Sequence, residues 1–214
     1  MCGRFGFCLP SKKALAAFGL EEAVEWPLRH NISPTMEIAV ALRDEQGRRV
    51  GRMLRWGLIP SWAKDRSWAQ KCINARAETV AEKPAFRDAY KKRRCLILAD
   101  CFYEWRLEQE GRKTPHAIFM ADKTPFAMAG LWERWLDPLD PDAIPLETCV
   151  ILTTQANALV AAIHPRMPVI VKAEEYALWL DPSRPAQTVL APYPAETMRA
   201  IAADPRAGDP LESE

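Results

Sequence analysis

The sequence predicts an α+β fold: a mainly antiparallel, barrel-like β-sheet core with several short flanking helices. Three observations lead there. Strand-like apolar runs follow one another through the middle of the chain: CLILA, CFYEWRL, TPHAIFMA, FAMAGLWERW and ETCVILTT. EIAVAL and RRVGRMLRW are joined through DEQG, a hairpin signal. Helical patterns are short and interrupt the strands irregularly, which is not the alternation of a parallel α/β sheet.

Taken in order, SKKALAAFGL reads as a helix with Ser11 as its N-cap; Ala14, Leu15 and Phe18 share a face, and Gly19 stops it. The hairpin follows. KPAFRDAYKKRR reads as a helix beginning near Pro84, with its basic residues in the last turn, where the helix dipole favours them. EQEGRK marks a turn between two strands. QANALVAAI and AEEYALWL read as short helices, the second stopped by Asp181-Pro182, with RMPVIV as a strand between them. Eleven of the eighteen prolines lie at or beyond Pro138, so the C-terminal third is read as loop-rich. Residues 1–214 are expected to form a single domain, with a disordered acidic tail from about residue 204.

The composition excludes several classes. At 214 residues the chain is long enough to bury a full core without staples. Net charge is +1, so any nucleic-acid site must be a local patch rather than a global field. None of the six cysteines is in CxxC spacing, so a zinc site is poorly supported; no metal and no cofactor are expected. No secretory signal and no apolar run of membrane length is present. A reducing cytoplasmic location with free thiols and a monomeric state are the expectation.

Five stretches carry residues with chemical potential. The chain begins MCGRFG, and initiator methionine is commonly trimmed before a small residue, which would leave Cys2 with an α-amine and a thiol on adjacent carbons. Both groups titrate near neutrality, at ~7.7–8.0 and ~8.5, and both are nucleophiles. An amine condenses with an aldehyde to an imine, and the neighbouring thiol can close on the same carbon as a thiazolidine. A buried structural cysteine is the competing reading. In WGLIPSWAKD, Trp56 is assigned to the core and Trp62 is a candidate stacking surface for a base, against a Trp that merely covers a core edge. INARAET places Asn74, Arg76 and Glu78 at alternate positions; if extended, they share a face suited to phosphate or polar-ligand binding, or form a solvated strand face. ADCFYEWR sets Glu104 between Tyr103 and Trp105, where partial desolvation would raise its pKa for acid catalysis; an outward-facing Glu is the plainer alternative. AIHPRMPVIV holds His164 before a proline, which biases it to extended or turn geometry in a loop, with Arg166 following; a structural histidine is the alternative.

Together MCGRF, NISPT, WGLIPSWAKD, INARAET, KPAFRDAYKKRRCLILADCFYEWR, GLWERW and ILTTQANALVAAIHPRMPVIV, in this order over residues 1–181, resemble the SOS-response-associated peptidase (SRAP) family of abasic-site processing proteins. The resemblance implies catalytic roles for Cys2, Asn74, Glu104 and His164. It implies a sensor of abasic sites in single-stranded DNA that, once Met1 is removed, forms a covalent thiazolidine crosslink through Cys2 and shields the lesion. Glu104 would protonate the ring oxygen of the closed sugar, His164 would shuttle protons, and Asn74 would orient the Cys2 amine or the sugar oxygen. Autocatalytic N-terminal processing and a weak lyase side activity go with the same chemistry. The resemblance further implies that Arg4 and Arg76 grip phosphates, Trp62 stacks on a base, Asn31, Ser33 and Pro34 shape the groove, and Thr153 lies near the active centre. The basic run 91–94 would extend the DNA surface or form a solvated helix end. After about residue 185 the sequence departs from the family pattern: Tyr193-Pro194 is present, but AETMRAIAADPRAG lacks the valine-asparagine segment that commonly follows.

Two rival classes make different predictions. Glutamine amidotransferases also begin Met-Cys-Gly, but would need an amide substrate and give no place to the Glu104 and His164 segments. A non-catalytic single-stranded DNA-binding module would bind reversibly with salt and ignore Cys2→Ala.

Overall fold

The computed structural model describes residues 2–140 and 142–211. Its strands are β1 (Phe5–Phe7), β2 (Glu22–Ala23), β3 (Arg29–Ile32), β4 (Glu37–Arg43), β5 (Arg49–Trp56), β6 (Asn74–Arg76), β7 (Arg94–Ala99), β8 (Cys101–Leu107), β9 (Lys113–Met120), β10 (Phe126–Trp135), β11 (Leu146–Gln155), β12 (Arg166–Pro168), β13 (Ile170–Val171) and β14 (Met198–Ala202). Five short α-helices interrupt them: α1 (Ser11–Phe18), α2 (Trp68–Lys71), α3 (Arg87–Lys92), α4 (Ala158–Ala161) and α5 (Tyr176–Leu180).

Five strands close into a ring. β5, β4, β7, β10 and β11 pair antiparallel in that order. A parallel contact between β11 and β5, Thr148 opposite Arg55 and Cys149 opposite Trp56, closes it. Closure removes the exposed edges that an open sheet would present. β11 is the hub, because it also takes β6 in parallel and β12 antiparallel. A second, all-antiparallel sheet runs β14-β9-β8-β1-β3.

The two sheets meet through aromatic side chains. Phe5 of β1 meets Trp56 edge-on at 5.3 Å between ring centroids, and Phe7 packs on Phe18 and Trp26. Trp56, Trp135 and Trp179 are fully buried, and each indole N–H donates to a backbone carbonyl: Ile73, Ala63 and Cys95. Large aromatics thus fill the core without stranding a polar atom. Gly57, just after β5, has φ +123° and lies so close to Ala69 that a Cβ would sit 2.4 Å from its carbonyl oxygen. No described helix is long and apolar enough to cross a membrane.

Several local expectations shift. Pro10, not Ser11, caps α1; its carbonyl accepts from Lys13 and Ala14, and its ring presets the entry angle. Gly19 ends α1 in the left-handed conformation, with Leu20 N–H closing on Leu15. α3 starts at Arg87 rather than near Pro84, since residues 79–86 form successive turns first. In the basic run, Arg94 is buried over Tyr90 and Trp179 and Arg93 pairs with Glu133, which leaves Lys91 and Lys92 as the exposed cations. The loop-rich C-terminal third nonetheless contributes β14, which pairs with β9. Of the acidic end, residues 212–214 lie outside the described residues; Leu211 before them packs against Cys101, Tyr103, Ala117 and Phe119.

Candidate active site around Cys2

Four distant stretches converge at the start of β1. Cys2 is fully buried, its Sγ 3.9 Å from the Arg4 carbonyl. β1 lies beside β8, and Tyr103 N–H donates to the Arg4 carbonyl at 2.9 Å, so the next residue, Glu104, is held near Cys2. Asn74 opens β6, whose parallel pairing with β11 aims its side chain back at the N-terminal segment; its amide donates to the Cys2 carbonyl at 2.9 Å. His164 follows α4, with its N–H on the Val160 carbonyl, and its Nδ1 stands 3.9 Å from Glu104 Oε1.

Glu104 is 2% exposed, not outward-facing. Burial drives its carboxyl above the ordinary carboxylate value, and the neighbouring His164 opposes part of that rise. The Cys2 thiol is pushed far above a free cysteine by burial, the largest cause, and the Glu104 carboxyl adds to the rise only when it is ionised. It is therefore a neutral thiol at physiological pH. Next to it lies a carboxyl biased to keep its proton, with an imidazole alongside. His164 Nδ1 also lies 3.0 Å from both the carbonyl and the N–H of Arg166, so the ring is oriented by backbone whichever nitrogen carries the proton.

Around this centre, Arg4, just before β1, donates to Asn31 Oδ1 of β3 at 3.1 Å. Both line a cavity of about 380 Å³ with Trp105, Lys113 and Arg206. Arg76 ends β6 two residues after Asn74 and is exposed. Thr153 is fully buried in β11, donating to the Ala75 carbonyl at 3.4 Å. Ser33 and Pro34 form a turn in which Thr35 takes φ +76°, costly for a β-branched residue, and its N–H is tied to the Trp56 carbonyl at 2.8 Å. Trp62 is half exposed, edge-on to Trp68 at 5.0 Å, with its indole N–H 3.4 Å from the Pro84 carbonyl. Trp62 thus contacts Trp68 and Pro84, and the Ser33 hydroxyl contacts the Met36 sulfur at 3.4 Å.

Glu78 and Arg166 form a pair that the sequence does not foretell. The guanidinium meets both carboxylate oxygens at 2.5 and 3.0 Å and also donates to the Thr153 carbonyl at 2.6 Å. Arg166 holds the Glu78 carboxyl below the usual carboxylate range. This fork ties the His164 loop to β11 and to the turn after β6. The one signal was that both residues stood in quoted motifs; nothing in their spacing predicts that they meet.

Fold and site define a class: closed-barrel proteins whose N-terminal strand brings a cysteine beside an asparagine, a buried glutamate and a histidine. The chain belongs to the SOS response associated peptidase (SRAP) family, whose model matches residues 1–210. It is 41% identical over 207 residues to abasic site processing protein YoqW of Bacillus subtilis, covering 94% of this chain and 91% of that one. It is 34% identical over 175 residues to abasic site processing protein HMCES of Gallus gallus, covering 69% of this chain and 51% of that one. A crystal structure of a Bacteroides thetaiotaomicron protein superimposes with TM-score 0.85 at 29% identity, covering 95% and 92% of the two chains.

Proposed function

We propose that this protein captures abasic sites in single-stranded DNA as a covalent thiazolidine through Cys2, after release of Met1. The observation that carries the reading is the convergence on Cys2: Asn74 on its carbonyl, with the Glu104–His164 pair alongside. The names of the relatives support the lesion as target.

As encoded, the Cys2 nitrogen is an amide and the residue is buried, so it cannot react with a sugar. Hydrolysis of the Met1–Cys2 bond converts that nitrogen to an α-amine. Glu104, whose carboxyl burial biases toward the protonated form, gives a proton to the ring oxygen of the closed sugar while the C1′ hydroxyl loses its proton to solvent, which frees the C1′ aldehyde. The amine adds to C1′, and loss of water gives the imine, with His164 relaying protons. The Cys2 thiol then adds to the imine carbon and its proton passes to nitrogen, so the only by-product is one water. The amine is the first nucleophile and sulfur closes the ring second, because condensation of the amine creates the imine carbon that the thiol attacks. Withdrawal of a proton next to the imine instead would cleave the strand, the source of a weak lyase side reaction.

Arg4 and Arg76 suit phosphates on either side of the lesion, and the half-exposed Trp62 offers a stacking face. Asn31, Ser33 and Pro34 shape the groove wall, and Thr153 supports the centre through Arg166. None of these contacts reads a base edge, as a lesion sensor requires.

The test is incubation of Met1-trimmed protein with abasic and undamaged single-stranded oligonucleotides, resolved under denaturing conditions. Abasic DNA alone should give a shifted band, slowed in Glu104→Gln and His164→Ala. Equal yields from all variants, or from undamaged DNA, contradict the reading.

A further inference from the structure

We infer that Cys8, His30 and Asp209 form a zinc-binding site that fastens the C-terminal segment to β1 and β3. Zinc ligation was not expected from cysteine spacing, because these ligands come from three separate parts of the chain. The Cys8 sulfur, a His30 ring nitrogen and an Asp209 carboxylate oxygen all lie within 4.8 Å of one another.

The separation of the first two carries the argument. With Zn–S of about 2.3 Å and Zn–N of about 2.0–2.1 Å, tetrahedral coordination puts sulfur and nitrogen about 3.6 Å apart. Cys8 Sγ and His30 Nδ1 are hydrogen-bonded at 3.6 Å, so the pair already stands at this spacing. A thiolate, an imidazole and a carboxylate together suit zinc rather than magnesium or calcium.

The ligands sit on fixed backbone. Cys8 follows β1, and its N–H donates to the Asp100 carboxylate. His30 lies in β3 next to its register partners, and its carbonyl accepts from the Tyr103 hydroxyl at 3.1 Å. Asp209 follows Gly208, whose φ of +116° turns the chain, and its Oδ1 accepts from Leu211 N–H at 2.9 Å. Leu211 is itself docked on the second sheet. On binding, the Cys8 thiol releases its proton to solvent, and water fills the remaining position. The site neighbours β8 one residue from Glu104, through Tyr103, yet shares no ligand with the catalytic group.

The test uses the full chain, stripped with chelator and titrated with Co²⁺ alone, then Zn²⁺ alone. One equivalent of Co²⁺ should give a thiolate charge-transfer absorption that Zn²⁺ abolishes. Cys8→Ser should eliminate the absorption, and His30→Ala and Asp209→Asn should each weaken binding by at least ~10-fold. Cys2→Ala should bind as the parent does, and Cys8→Ser should still form the abasic-site adduct, which separates failure here from failure of the proposed function. No thiolate band with the parent chain, a band that survives Cys8→Ser, or affinity unchanged in both His30→Ala and Asp209→Asn would overturn the site.

Discussion

The side-chain amide of Asn74 donates to the carbonyl oxygen of Cys2 at 2.9 Å, across 72 positions of sequence. The bond fixes the nucleophile's backbone rather than its sulfur. Asn74→Ala should therefore misorient the amine and slow adduct formation by ~10-fold, the equivalent of ~1.4 kcal/mol. The melting temperature should shift little, because Asn74 sits at the edge of the barrel. Single-turnover kinetics on abasic single-stranded DNA reads the effect; an unchanged rate removes Asn74 from the machinery.

Glu104 predicts a pH dependence with a definite sign. Burial places its folded-state pKa above the ~4.3 of an unfolded glutamate. The acid form is the working form, so adduct formation should slow as pH rises through that raised pKa. Stability follows the same direction: the contribution is complete below the unfolded value and is lost as pH climbs through the folded one. Glu104→Gln, neutral at every pH, should lose this limb of the rate profile at a lower plateau. It should also gain stability relative to the parent on the alkaline side. Rate profiles and urea titrations at acidic and neutral pH check both.

Trp62 and Arg76 separate stacking from charge. Trp62→Ala should weaken single-strand binding by ~1–3 kcal/mol with little change in stability, since the ring is half exposed. Arg76→Ala should instead lower the slope of log affinity against log salt by ~0.7. Fluorescence anisotropy over a salt series distinguishes the two.

The barrel seam has its own test. Gly57→Ala forces a Cβ against a backbone oxygen in a conformation that L residues avoid, and should cost more than ~2 kcal/mol in urea unfolding. Gly111→Ala, also at positive φ but with nothing within 4 Å, should cost only ~1 kcal/mol.

Local patterns made much of the fold legible. The strand-like runs EIAVAL and RRVGRMLRW with the DEQG turn correspond to β4 and β5, and Gly19 does stop α1. A barrel-like sheet was expected and is found, but the strands that close it were not legible, since the seam is a parallel contact between Cys149 and Trp56 that no periodicity encodes. β14 was missed because prolines surround a strand whose pairing with β9 is long-range. At the site, residue types in INARAET and AIHPRMPVIV drew attention to Asn74 and His164, but one sits on β6 and the other beyond α4. Their approach to Cys2 is set by β11 and by the pairing of β1 with β8. The burial of Glu104 was equally hidden: nothing local shows that both faces of the first half of β8 are covered.

The most direct measurement is the intact mass of the product formed with an abasic oligonucleotide. The account predicts the mass of the chain lacking Met1 plus that of the oligonucleotide, less one water, with no such species from Cys2→Ala. A covalent product that persists in Cys2→Ala, or one that retains Met1, would contradict it.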